Sequence, residues 1–268
     1  IGFVYALNYE NGNVLWKINF GIPFKSKIKV YNDRIFIVDQ DNQVLCLNIK
    51  DGSKIWNLST IGTFIKTQNL LGMAISKNGH LIFLSSAGDI LKINSSNGRI
   101  FWTMNILDST SSFAADFFES SDVVIDNNNI IFSGNESTFS VNINTGFINW
   151  RTKVASNSIP IIDKNNIFLV NEVGYFINLD KKTGKIIWST NILKSLKKKK
   201  QRTKVNGFIM GSNKIFVTTE NGYLIICSAV NSKILYHDKI AKSVRTTPII
   251  SNGELYILTE NSKILGFN

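Results

Sequence analysis

The chain has 268 residues, 44% of them hydrophobic, 11% aromatic and only three proline, which is enough apolar material for one or two packed units and excludes disorder as the default state. The formal net charge is +11, but seven cations fall in one stretch (Lys194, Lys197, Lys198, Lys199, Lys200, Arg202 and Lys204), leaving +4 without them. Basicity is therefore local and does not mark the whole chain as a nucleic-acid binder. No apolar run reaches the ~18 residues of a membrane helix.

The first predicted elements lie in VYALNYENGNVLW, an apolar strand and a second short apolar strand joined by a polar turn containing Asn11 and Gly12. Apolar alternation broken by an N-G dipeptide is a β-hairpin signal. The hairpin then recurs. Aligned on Trp16, Trp56, Trp102, Trp150 and Trp188, the copies lie 40, 46, 48 and 38 residues apart, and a further 48 reaches Tyr236. Each aromatic has a small residue four positions earlier: Gly12, Gly52, Gly98, Gly146, Gly184 and, in the sixth copy, Ser232. Four residues before that stands a short polar side chain: Asn8, Asn48, Asn94, Asn142, Asp180 and Ser228. The glycine supplies a positive φ, the Asn or Asp binds turn amides, and the Trp face fills the wedge between neighbouring sheets.

Two more strands precede each hairpin, as in SIPIIDKNNIFLVNEVGYFINLD, so about 40 residues carry four strands. Such a repeat predicts an all-β fold, a β-propeller of four-stranded antiparallel blades, with about six to seven blades in residues 1–268. With the strands of a blade called A to D, the chain opens on a strand C and ends on a strand C, at ILGFN. The expectation is a single propeller domain, cut on its N-terminal side, of a longer protein.

Between strands D and A the chain lengthens three times, after Trp56, Trp102 and Trp188. Such connections lie on one face of a propeller, and insertions confined to one face mark a binding face. The first contains Phe64, Ile65 and Lys66; the second contains Phe113, Asp116, Phe117, Phe118 and Glu119. Apolar anchors beside charge resemble interface hot spots, although the same residues read equally as the buried start of strand A. The third, LKSLKKKKQRTK, reads as a mobile solvated segment whose functional alternative is contact with an anionic surface.

Catalytic signals are thin. His80 and His237 read as turn or surface residues, carboxylates such as Asp51, Asp126 and Asp180 sit at turns, and no G-x-S-x-G, H-E-x-x-H or phosphate loop occurs. Cys46 and Cys227 lack C-x-x-C spacing and read as buried apolar thiols.

The repeats at residues 6–16, 46–56, 92–102, 140–150 and 178–188 resemble the quinoprotein-type motif A-x-D-x-x-T-G-x-x-x-W, with Asn usually in place of Asp and the Ala kept only at Ala6. Residues 33–56, DRIFIVDQDNQVLCLNIKDGSKIW, resemble the BamB lipoprotein family of the outer-membrane β-barrel assembly machinery. That resemblance implies an eight-bladed propeller acting as a non-catalytic scaffold. It also implies a periplasmic, outer-membrane-associated location, contact with periplasmic domains of a barrel assembly subunit, a monomeric state, and no cofactor, metal or nucleic acid. A family contact pattern Leu-x-Leu-Arg falls on Thr63, Phe64, Ile65 and Lys66; an Asp-x-Asp pattern falls on Phe117, Phe118 and Glu119, with Asp116 as a substitute acid. The competing readings are a pyrroloquinoline quinone dehydrogenase and a periplasmic ligand-binding propeller. The dehydrogenases carry a vicinal Cys pair and a Ca²⁺ site, neither of which is visible here, and calcium requires six to eight oxygen ligands.

Overall fold

The computed structural model describes residues 1–62, 66, 69–107, 118–197 and 202–268. Its strands run in chain order as β1 (Phe3–Leu7) and β2 (Val14–Asn19), a hairpin. Blade I follows with β3 (Lys29–Tyr31), β4 (Arg34–Val38), β5 (Gln43–Asn48) and β6 (Lys54–Ser59). Blade II is β7 (Met73–Ile75), β8 (His80–Leu84), β9 (Asp89–Asn94) and β10 (Ile100–Asn105). Blade III is β11 (Val124–Asp126), β12 (Asn129–Gly134), β13 (Ser137–Asn142) and β14 (Ile148–Thr152). Blade IV is β15 (Ile161–Asp163), β16 (Asn166–Val170), β17 (Tyr175–Asp180) and β18 (Ile186–Asn191), followed by a short 3₁₀ helix (Ile192–Ser195). Blade V is β19 (Val205–Gly211), β20 (Lys214–Thr219), β21 (Tyr223–Ser228) and β22 (Ile234–Lys239); the three-stranded blade VI is β23 (Ile249–Ser251), β24 (Glu254–Leu258) and β25 (Ile264–Phe267). In each blade consecutive strands pair in order, the up-and-down meander of a β-propeller.

The chain divides into two compact units, Ile1–Asn149 and Trp150–Asn268. Each builds its core between blades. In the first unit, Phe36, Val38 and Cys46 of blade I pack with Leu81, Phe83 and Leu91 of blade II. The other side of blade II, through Ile82, Leu84 and Ile90, meets Ile130, Phe132 and Phe139 of blade III. In the second unit, Phe168, Val170 and Phe176 of blade IV meet Phe208, Val217 and Ile225 of blade V. Strands B and C are apolar on both faces because both faces are covered, as the burial run iBBBB in β4, β8 and β16 records.

The hairpin repeat is explained atom by atom. The polar side chain that stops strand C accepts an amide hydrogen two or three residues on: Asn8 Oδ1 from Glu10, Asn48 Oδ1 from Lys50, Asn94 Oδ1 from Ser96, Asn142 Oδ1 from Asn144 and Asp180 Oδ1 from Thr183. The glycine four residues on donates its N–H to the same residue's carbonyl, as Gly52 does to Asn48 at 2.8 Å, with φ at +71°. A second constraint acts on these glycines. The Trp of one blade lies flat on the Gly of the next, so that a Cβ on Gly98 would fall 2.9 Å from Trp56 and one on Gly184 would fall 2.5 Å from Trp150. Four of the five indole N–H groups also donate, at 3.0 Å, to a carbonyl of that next hairpin: Trp16 to Ile49, Trp56 to Ser95, Trp102 to Ile143 and Trp150 to Lys181. The Trp thus fills the wedge between sheets and fixes their register. The sixth copy departs: Ser232 holds φ +59°, which costs a residue with a Cβ about 1–2 kcal/mol, and its hydroxyl bonds the Thr190 hydroxyl at 2.7 Å.

Candidate protein-binding face

Within each unit the D-to-A connections lie against the B–C turns. In the first unit this contact is made by buried neutral groups. Asn42, 1% exposed at the end of the blade I turn, donates from Nδ2 to Ser86 Oγ at 2.8 Å and accepts the Ser86 N–H at 3.0 Å, joining the turns of blades I and II. The Ser86 carbonyl then accepts the Phe118 N–H at 2.7 Å, and the next residue, Glu119, exchanges hydrogen bonds with Asn135 in the blade III turn. Asp39 opens the blade I turn. Its Oδ1 accepts the N–H groups of Asp41 and Gln43, while its burial pushes the carboxyl above the ordinary range.

Two of the sequence-predicted contact residues are placed on this face. Lys66 forms an ion pair with Asp41 of the blade I turn at 2.8 Å, and Glu119 is held on the blade III turn. They therefore stand two blades apart along one row of turns. Phe64, Ile65 and Asp116, with Phe113 and Phe117, lie outside the described residues. Phe118 is not an exposed anchor: it is buried, and its ring lies where a Cβ on Gly134 would be, 1.9 Å from Phe118 Cζ. The buried alternative for this residue is the right one, because a glycine at the end of β12 leaves a socket for the ring.

The third long connection also differs from the solvated segment read in the sequence. It begins as the 3₁₀ helix Ile192–Ser195, capped by Asn191, whose Oδ1 accepts the Leu193 N–H, and it buries Ile192, Leu193 and Leu196. At its far end Lys204 pairs with Glu172 at 3.0 Å. Residues 198–201 lie outside the described residues. His80 starts β8 with its ring edge-on to Phe101; burial and the charge of Lys92 push its pKa down. His237 lies on β22. Both cysteine thiols are buried, which raises them to about 11 for Cys46 and about 12 for Cys227 and makes them poor nucleophiles.

Two features, one in each unit, escape a reading aligned on the Trp hairpins. One is Asp122, whose Oδ1 accepts the N–H groups of Met73 and Val123 while its Oδ2 meets Lys29 at 3.1 Å and Lys27 at 3.5 Å, tying strands A of blades I, II and III. The other is a row of turn glutamates in the second unit, Glu172, Glu220 and Glu260, visible in the sequence as N-E-V-G, T-E-N-G and T-E-N-S.

Comparison with known proteins places the chain. It is similar to the outer membrane protein assembly factor BamB of Shewanella oneidensis, 26% identical over 204 residues, which are 72% of this chain and 49% of that protein. The Yersinia pestis protein of the same name is 26% identical over 196 residues, 71% of this chain and 49% of the relative. The chain thus spans about half the length of these curated relatives. A tetrathionate hydrolase of Acidithiobacillus ferrooxidans is 23% identical over 70% of this chain and 40% of that enzyme. Among solved structures, the crystal structure of BamB from Moraxella catarrhalis superposes with a TM-score of 0.81 at 13% identity, over 99% of this chain and 78% of that one, which is agreement in fold. The family model described as outer membrane protein assembly factor BamB matches residues 2–190, well over half of the chain, and the chain belongs to that family.

Proposed function

We propose that this chain is part of a BamB-like scaffold that assists assembly and insertion of β-barrel proteins into the bacterial outer membrane, by binding without catalysis. The observation that carries the reading is the family match over residues 2–190. The row of turns bearing Lys66 and Glu119 supports it, being a surface built on rigid blades. The proposed partner is the periplasmic domain of a barrel assembly subunit, contacted through Phe64, Ile65, Lys66, Asp116 and Glu119. The location is the periplasm, against the outer membrane, and the basic stretch at 194–204 supplies a secondary contact with an anionic surface. In this reading the chain acts as a single propeller domain, as a monomer and without a cofactor.

Capture of the purified periplasmic domain tests this. Ile65→Ser with Lys66→Glu should weaken it at least tenfold, and Glu119→Lys should weaken it further; capture unchanged by all three refutes the contact assignment. The quinone-enzyme alternative predicts that pyrroloquinoline quinone with Ca²⁺ raises the melting temperature by several degrees. The scaffold reading predicts no rise.

A further inference from the structure

In the second unit, three successive B–C turns close with the same hydrogen bond: Gly174 N–H to Asn171 carbonyl at 3.0 Å, Gly222 N–H to Thr219 carbonyl at 2.9 Å and Ser262 N–H to Thr259 carbonyl at 3.1 Å. Glu172, Glu220 and Glu260 therefore occupy one geometric position repeated three times, the second residue of the turn. Two of them are matched by bases. Glu172 takes Lys204 on Oε2 at 3.0 Å and the Asn157 amide on Oε1 at 2.7 Å, which raises the Lys204 pKa. Glu260 takes Arg245 at 2.7 Å and the Ser243 hydroxyl, the latter being the larger cause of its lowered pKa.

Glu220 differs. Its backbone is tied on both sides, with its N–H donating to the Lys204 carbonyl at 2.9 Å and its own carbonyl accepting the Val244 N–H at 3.2 Å. Among the described residues its exposed carboxylate makes no close ion pair, although its charge contributes, after Glu172, to raising the Lys204 pKa. It also stands where two cavities meet. One, of about 190 Å³, is lined by Asn157, Glu172 and Lys204 among others; the second, of about 480 Å³, is lined by Ser243, Val244, Arg245 and Glu260, and both share Asn206 and Glu220. The Asn206 amide nitrogen is committed to the Val244 carbonyl, which leaves its side-chain oxygen as an acceptor beside Glu220.

We propose that this groove is a docking site for an extended segment of a protein partner that inserts an arginine or lysine side chain against Glu220 and Asn206. The charge pattern selects the occupant. Lys204 pairs with Glu172 and also feels the charge of Glu220, and Arg245 pairs with Glu260; three carboxylates against two bases leave the groove lining one negative charge, and the acceptors around it suit a cation with several N–H donors. A guanidinium can meet a carboxylate with two parallel hydrogen bonds, which gives direction as well as attraction. The larger cavity falls within the about 300–1,000 Å³ of ligand-sized clefts. Docking here requires no residue of the first unit, so it stands or falls separately from the contact at Lys66 and Glu119.

The test is a titration of the ¹⁵N-labelled chain with acetyl-Ser-Arg-Ser-amide, and with acetyl-Ser-Glu-Ser-amide at the same ionic strength. The arginine peptide should give saturable shifts at the amides of Asn206, Glu220 and Val244 with a Kd of about a millimolar, the bidentate pair and the cleft contacts acting together. Glu220→Gln should weaken binding at least tenfold, whereas Glu10→Gln, on the β1–β2 turn, should not change it. The idea is overturned by unsaturable shifts, by an equal response to the glutamate peptide, or by undiminished binding to a Glu220→Gln protein whose other resonances show it folded.

Discussion

The two units use the same blade and lace their turns with different chemistry. In the first, the second turn position holds Gln40 in blade I and Ser86 in blade II, and the turns are joined through Asn42 by hydrogen bonds between buried neutral groups. In the second, the equivalent position holds Glu172, Glu220 and Glu260; backbone bonds like that from Phe118 to Ser86 recur, from Val205 to Glu172 and from Val244 to Glu220, and what the side chains add is exposed ion pairs. A buried hydrogen bond left half made costs the desolvation of the orphaned group, whereas an exposed ion pair is screened and adds little to stability. The first row of turns is thus joined by buried bonds, with Lys66 paired to Asp41 on one turn and Glu119 bonded to Asn135 on another. In the second the side chains add only exposed pairs to the backbone bonds, and the Glu220 carboxylate is left without a close ion pair among the described residues.

Breaking the first row should produce the largest effects. Phe118→Ala empties the socket over Gly134 and is expected to destabilise the chain by about 3–5 kcal/mol, read as a shift of the urea midpoint with unchanged slope. Asp122→Asn keeps the shape but places a neutral amide between two lysines and two backbone N–H groups; because the lysines are partly exposed the expected loss is about 2–3 kcal/mol. Asn42→Ala removes the bonds that Asn42 makes with the Ser86 N–H and hydroxyl and replaces a residue tolerant of φ +61°. Its cost should be about 2 kcal/mol, the same in 0.05 and 0.5 M NaCl. A strongly salt-dependent loss at Asn42 would contradict the division drawn between the two rows.

The frame was legible in the sequence because its constraints are local. Gly52, Asn48 and Trp56 each serve a turn or strand within nine residues of one another, so their types and spacing announce the hairpin. What the Trp touches was not legible: the Gly and carbonyl that receive it belong to the following blade, and only stacked sheets bring Trp56 to Gly98 and Ser95. Phe118 was ambiguous for the same reason, since an aromatic before a charge reads as exposed until Gly134 is seen to vacate the space. Lys66 and Glu119 were singled out by the length of the connections that carry them and by the contact patterns of the family they resemble, and their role as contacts is a proposal. The row of Glu172, Glu220 and Glu260 had a signal of its own, recurring on B–C turns while the dominant repeat lies on the C–D hairpin.

Acid offers the finest way to separate the two rows, because their carboxylates are shifted in opposite directions. Asp39, raised by burial, binds its proton more tightly in the folded state than in the unfolded chain. Its favourable contribution is therefore complete below the ordinary value of 3.8 and is lost as pH rises through the raised folded value. Asp39→Asn keeps an oxygen for the amides of Asp41 and Gln43, so it should match the parent in acid and become the more stable protein at neutral pH. Glu260, lowered first by the Ser243 hydroxyl and then by Arg245, binds its proton less tightly when folded. Its contribution is present above the ordinary value of 4.5 and disappears as pH falls through the lowered folded value. Glu260→Gln should then be slightly less stable than the parent at pH 7 and indistinguishable from it in acid, and 0.5 M NaCl should shrink the neutral-pH difference. Urea midpoints measured from pH 2.5 to 7 should diverge towards neutral pH with opposite sign in the two variants; curves of the same sign would mean that both rows are held by one kind of interaction.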